Sequence, residues 1–239
     1  MTFDAIRQRL KLFVRRRPFI YRVVRILKYG PYLGIESAAA RNELLAQGSR
    51  RKLRMLNLGG GGRTRAGAIN MDLDAASLPD IVGDAFSAPF RRETFDIVFC
   101  ENVIEHVKTP QQLLASIRDL LTPSGKLYME YPLLQPRHHE YDYMRWTVEG
   151  FNRSALEAGF EIERFDVYLG PSYVLFWVLT DSFSLLFGPM RGAARYVFRW
   201  LFCPILILDV IFLRVPGILN VAAGIWVILR KPQTGSGRP

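Results

Sequence analysis

The run Leu56-Asn-Leu-Gly-Gly-Gly-Gly62, followed by Ile69-Asn-Met-Asp72, constrains this chain more than any other stretch. A β-type segment enters four consecutive glycines, and a second short apolar segment ends on an acidic residue. Glycine lets the backbone turn sharply at a strand end and approach a ligand with no Cβ in the way. In dinucleotide folds, an acidic residue at the end of the following strand accepts hydrogen bonds from ribose hydroxyls. The pattern predicts a strand, a tight turn and a second strand around a nucleoside cofactor, with Asp72 on the ribose.

The flanking periodicity agrees with that unit. Strands are expected at 52–58, 68–71, 81–82, 95–100, 126–131 and 160–169, and helices at 110–121 and 147–158. Leu113, Leu114, Ile117, Leu120 and Leu121 share one face of the first of these helices, and Pro123-Ser-Gly125 reads as its stop. A β-then-α order predicts an α/β fold whose parallel sheet is covered on both faces and binds ligands beyond the carboxyl ends of its strands. A further helix at 35–47 ends at Gly48, and the domain boundary is expected near residue 50.

Composition bounds the remainder. With 239 residues and 49% apolar content, the chain has material for one domain of ordinary size plus an elaboration. The net charge of +10 is concentrated: residues 1–30 hold nine Arg or Lys against Asp4 alone. Ile6, Leu10, Phe13 and Val14, then Ile20, Val23, Val24 and Leu27 after Pro18, predict two short basic amphipathic helices. A charge so placed suits an anionic membrane surface better than a nucleic-acid groove. Cys100 and Cys203 form neither a disulfide framework nor a zinc ligand set, and no secretory signal precedes the first helix. A cytoplasmic location is expected.

Residues 171–220 add two apolar stretches, Tyr173 to Met190 and Phe198 to Val215, each interrupted by an aspartate (Asp181, Asp209) and joined by a link carrying Arg191, Arg195 and Arg199. After them, 222–229 reads as another strand. Residues 171–220 are then an insertion between the sixth and seventh strands, and a single membrane span is excluded. A two-span hairpin would translocate the basic link, so helices lying in the interface are favoured. Packing on the domain or in a dimer is the other reading. The organisation expected is a basic N-terminal part (1–50), a catalytic domain (51–170 with 221–232), the apolar insertion (171–220) and a flexible tail (233–239).

Five segments in order resemble the class I S-adenosylmethionine-dependent methyltransferases, especially the bacterial methyltransferase type 11 group. Residues 56–61 look like the first cofactor motif, Ile69-Asn-Met-Asp72 like the ribose-binding strand end, and Gly83-Asp-Ala85 like the adenine-contacting turn. Phe95-Asp-Ile-Val-Phe-Cys-Glu-Asn-Val-Ile-Glu-His-Val107 resembles the fourth-strand motif, and Leu121-Thr-Pro-Ser-Gly-Lys-Leu127 the corner into the fifth strand. The resemblance implies a Rossmann-like seven-stranded sheet with helices on both faces. It implies S-adenosyl-L-methionine held by Asn57, Gly59, Gly60, Gly61, Asp72, Leu73, Asp84, Ala85, Glu101 and Asn102. Asn57 stands where the family usually has an acid, and Arg63 where a third glycine is usual.

Methyl transfer to a hydroxyl needs positioning and a base. His138 and His139, in the dense polar segment 136–147, and Glu101 are the candidates. Glu105-His106 resembles a pair that some quinone O-methyltransferases use near a metal, but Asn102 occupies the first acidic position and only three His exist in the chain, so no metal is expected. The implied function is O-methylation of a lipid-linked sugar or other membrane-borne acceptor, on the inner face of the cell membrane. An RNA methyltransferase with a basic arm, or a non-catalytic binding protein that keeps the fold, are the alternatives; the missing Asp/Asn-Pro-Pro-aromatic sequence argues against methylation of base amines.

Overall fold

The computed structural model describes residues 35–233, together with Phe13, Arg17 and Ile20. The two basic helices expected in the first 30 residues otherwise lie outside the described residues, as does 234–239. The first described element is helix α1 (Ile35–Arg51), followed by strands β1 (Met55–Leu58), β2 (Ala68–Asp72), β3 (Ile81–Val82) and β4 (Phe95–Glu101). Then come α2 (Pro110–Leu120), β5 (Leu121–Pro132), α3 (Val148–Glu157), β6 (Glu161–Leu169), α4 (Pro171–Leu185), α5 (Arg191–Phe202), a 3-10 segment Cys203–Leu208, the short α6 (Asp209–Phe212) and β7 (Gly224–Arg230).

The strands form one seven-stranded sheet in the order β3-β2-β1-β4-β5-β7-β6. β1 to β5 are parallel neighbours, whereas β7 runs antiparallel to both β5 and β6. The central strands are apolar on both faces because helices cover both, which is why Phe95–Glu101 and 127–132 read as continuous hydrophobic runs. On one face α2 contributes Leu113, Leu114 and Ile117 to a core with Leu56, Val98, Leu127 and Met129. The other face packs Ile97, Phe99, Tyr128 and Trp226.

That second face is covered in part by α1, and this revises two expectations. Ala40 and Leu44 are buried in the cluster with Phe99 and Trp226, so α1 belongs to the catalytic layer and no boundary falls near residue 50. The helix also continues through Gly48 to Arg51. Gly48 is a packing residue there, because the Met55 side chain occupies the space a Cβ would need. Pro123-Ser-Gly125 likewise lies inside the start of β5, where Ser124 adopts φ +63° and the register with β4 breaks between Phe95 and Ile97.

Between β6 and β7 the insertion forms a helical cap. α4 and α5 pack through Phe183, Phe198 and Phe202, with ring centroids 5.4–5.9 Å apart. Both interrupting aspartates are used internally. Asp181 pairs with Arg195 across the two helices at 2.7 Å, and the buried Asp209 accepts a hydrogen bond from the Ser172 N–H at 2.9 Å, satisfying a free amide at the start of α4. Among the described residues no helix is long and apolar enough to cross a membrane.

Candidate active site

A cleft of about 1600 Å³ opens beyond the carboxyl ends of β1, β2, β4 and β5. Small-molecule pockets usually run to about 300–1,000 Å³. The space therefore exceeds what a nucleoside cofactor alone fills.

Its first wall is the glycine turn. Gly59, Gly61 and Gly62 have φ of +67°, +58° and +91°, a region that side chains rarely enter. A Cβ on Gly59 would also lie 2.5 Å from Val103 Cγ2. The Gly61 N–H donates to Asp72 Oδ2 at 2.7 Å, and the Asp74 N–H to Asp72 Oδ1 at 2.9 Å, so two backbone amides orient this carboxylate at the end of β2. Asp84 accepts from the Phe86 N–H at 3.0 Å and caps the turn Ala85–Ser87. Gly59, Gly60, Gly61, Asp72, Leu73, Asp84, Ala85, Glu101 and Asn102 all line the cleft.

Asn57 is the exception among the residues expected to hold cofactor. It is buried behind the turn, donating to the Arg63 carbonyl at 2.7 Å and to Asn70 Oδ1 at 3.0 Å while accepting from Arg65 Nε at 3.1 Å. A carboxylate could not donate to those two oxygens. The departure from the usual acid is a change in how the turn is tied down.

The floor is a charge cluster that no local sequence pattern announces. Glu101, 5% exposed, meets Arg65 at 2.6 Å, Arg41 at 3.2 Å and Arg63 at 3.5 Å. Burial opposes its ionisation, but the three guanidiniums outweigh that and hold its pKa below the usual carboxylate value. Glu101 is consequently a poor proton acceptor, and its expected role as a base is replaced by that of an ion-pair hub. Neighbouring Glu130 accepts from Tyr128 Oη at 2.8 Å and from Arg41 at 3.3 Å. Burial, and then the Glu101 charge, push its pKa up to about 7. Asn102, left-handed at φ +53°, accepts from Tyr168 Oη at 2.7 Å and donates its backbone N–H to the Glu130 carbonyl at 2.9 Å. Tyr168 reaches it across β7 because Gly224 has no Cβ to block the ring.

Beyond the floor stand all three histidines. His106 and His138 have ring centroids 5.1 Å apart, and His106 and His139 5.0 Å. His106 Nδ1 lies 2.6 Å from the Tyr141 carbonyl, so it carries the proton. His138 Nδ1 lies 3.3 Å from Asp142, which Arg145 grips bidentately. His139 Nδ1 instead accepts the Tyr141 N–H at 3.1 Å. Behind the rings Glu105 is fully buried, with neither carboxylate oxygen hydrogen-bonded. Burial pushes its pKa up to about 8. The cap closes the far side with Tyr173, Trp177, Arg195, Tyr196 and Arg199.

A Rossmann-like sheet with one reversed strand, and a glycine turn facing two strand-end aspartates, defines a nucleoside-dependent transferase of the methyltransferase kind. Residues 63–129 match the family model described as "Methyltransferase domain". The match is to a methyltransferase domain over those residues of the chain, and the sheet has the strand order of the class I S-adenosylmethionine-dependent methyltransferases, whose cofactor is S-adenosylmethionine. No curated protein matches it by sequence. Among solved structures it is similar in fold to a proposed sarcosine dimethylglycine methyltransferase from Galdieria sulphuraria, with TM-score 0.51, 12% identity and coverage of 80% of this chain and 84% of that one. It is also similar to phosphoethanolamine N-methyltransferase 2 of Haemonchus contortus, solved with S-adenosyl-L-methionine, with TM-score 0.50, 20% identity and 76% of this chain covered. The chain spans 49% of the length of that enzyme.

Proposed function

We propose that the protein transfers a methyl group to a hydroxyl of a lipid-linked sugar at the cytoplasmic membrane surface. The observation that carries this reading is the two-sidedness of the cap. Tyr173, Trp177, Arg195 and Arg199 line the acceptor end of the cleft. On the outer side of the same helices Val197, Trp200 and Leu201 are 65, 51 and 62% exposed, continued by Leu186, Ile207 and Ile211. One element thus offers an apolar surface to lipid and aromatic and cationic groups to a headgroup. Asp181 neutralises Arg195, whereas Arg199 makes no ion pair among the described residues and leaves a positive charge for a phosphate.

Asp72 would receive the ribose hydroxyls, Asp84 and Ala85 would border the adenine, and Arg63, at the lip of the glycine turn, would offer a positive charge to the cofactor carboxylate. In the transfer the acceptor oxygen attacks the methyl carbon in line, the C–S bond breaks, and S-adenosylhomocysteine leaves as a neutral thioether. The hydroxyl proton goes to His138. Its Nδ1 lies 3.3 Å from Asp142, a carboxylate placed to stabilise the imidazolium that forms, and 3.4 Å from Arg145 Nη2, whereas the Nδ1 lone pair of His139 is already taken. Incubating the full-length protein with radioactive S-adenosylmethionine and membrane extract should label the lipid fraction. Label confined to RNA would overturn this reading in favour of the RNA one, and label in neither, with cofactor bound, would remove both acceptors.

A further inference from the structure

We propose that Glu105, His106 and His138 form a binding site for one divalent transition-metal ion of the zinc type, on the wall of the cleft. Glu105 Oε1 lies 3.7 Å from His106 Nε2 and 3.9 Å from His138 Nε2, and ligand atoms of the three residues lie within 4.8 Å of one another. Around a tetrahedral ion with bonds of about 2.0–2.1 Å, ligand atoms sit roughly 3.3 Å apart. Small rotations of two rings close that difference.

The orientation of the rings is a second argument. His106 gives its Nδ1–H to a backbone carbonyl, which turns its Nε2 toward Glu105, and His138 turns its own Nε2 toward the same carboxyl group. His138 Nδ1 is flanked by Asp142 at 3.3 Å and by Arg145 Nη2 at 3.4 Å. Backing of each ring by a carbonyl or carboxylate is the arrangement that orients histidine ligands on metals. Independently, Glu105 is fully buried and both its oxygens lack a hydrogen-bond partner, an expensive state that a cation relieves. Two imidazoles and one carboxylate suit zinc, cobalt or iron(II) and leave open positions, which here face the cleft. His138 arrives from the loop after β5, so the acid that Asn102 fails to provide is not needed.

The site does not depend on the acceptor proposed above. With an ion seated, His138 would be a ligand, and the cation would supply the lowering of a hydroxyl pKa that a base otherwise provides. The test uses full-length protein stripped with chelator and titrated with Co²⁺, read by visible absorption, then with Zn²⁺ in competition. One equivalent with ligand-field bands, displaced by Zn²⁺, is expected. Glu105→Gln and His138→Gln should each weaken Co²⁺ binding by about 100-fold or more, beyond the loss that outer partners alone produce. Absence of the bands, or equal Co²⁺ binding in wild type and either variant, overturns the site. Retained S-adenosylmethionine binding by calorimetry certifies that each variant is folded; should Glu105→Gln fail that check, His138→Gln decides alone. Failure here leaves the methyl-transfer reading, and His138 as base, standing.

Discussion

At the residue scale, the cofactor end of the cleft turns on carboxylates held by backbone amides. Replacing Asp72 by Ala removes the ribose acceptor and should weaken S-adenosylmethionine binding by about 1–3 kcal/mol, measured by calorimetry. Glu130 makes a prediction of opposite character. Its pKa is raised from 4.5 to about 7 in the folded protein, so between those values the native state holds a proton that the unfolded chain releases. Stability is therefore full below pH 4.5 and falls as pH rises toward 7. Thermal melts of Glu130→Gln from pH 4.5 to 8 should lack that decline, by about 1–3 kcal/mol at the alkaline end. Asp72 was legible in the sequence because it is tied to the glycine turn by its neighbours. Glu130 was not, since its partner Arg41 lies 89 positions away. An acid inside the apolar run Leu127 to Tyr131 was the available signal. The histidines were legible as a group, but their pairing with Glu105 was not, because it needs β4 and the loop after β5 to converge.

At the element scale, the strand-to-glycine turn and the cap make separate demands. Gly59→Ala places a side chain at φ +67° against Val103, and should lose cofactor binding with a stability loss of about 1–3 kcal/mol by denaturant titration. Asp209→Ala leaves the Ser172 amide at the head of α4 without its acceptor and should cost about 1–2 kcal/mol. α2 and β4 were read correctly from pattern because each is a strong local periodicity. α1 was misassigned to a separate N-terminal part, since its apolar stripe, Ala40 and Leu44, is thin and its burial depends on Phe99 and Trp226 far along the chain. The aspartates of the insertion gave no sign of their partners, Arg195 and the Ser172 amide, until the helices were folded against each other.

At the scale of the whole molecule, one end of the cleft belongs to the sheet and the other to the cap. If the exposed face around Trp200 meets lipid, the triple change Val197→Glu, Trp200→Glu and Leu201→Glu should abolish co-sedimentation with anionic vesicles while leaving S-adenosylmethionine affinity within about twofold of wild type, since none of these side chains lines the cleft. Unchanged sedimentation would count against the face. The cap leaves β6 and returns into β7 at a single rung, Leu169 opposite Gly224. Its two attachment points are therefore nearest neighbours, so a change in the length of the cap does not by itself require β6 and β7 to part. The insertion is joined to the sheet as a loop is joined to a hairpin: its length is a free variable of the chain, while the two strands that flank it keep their register.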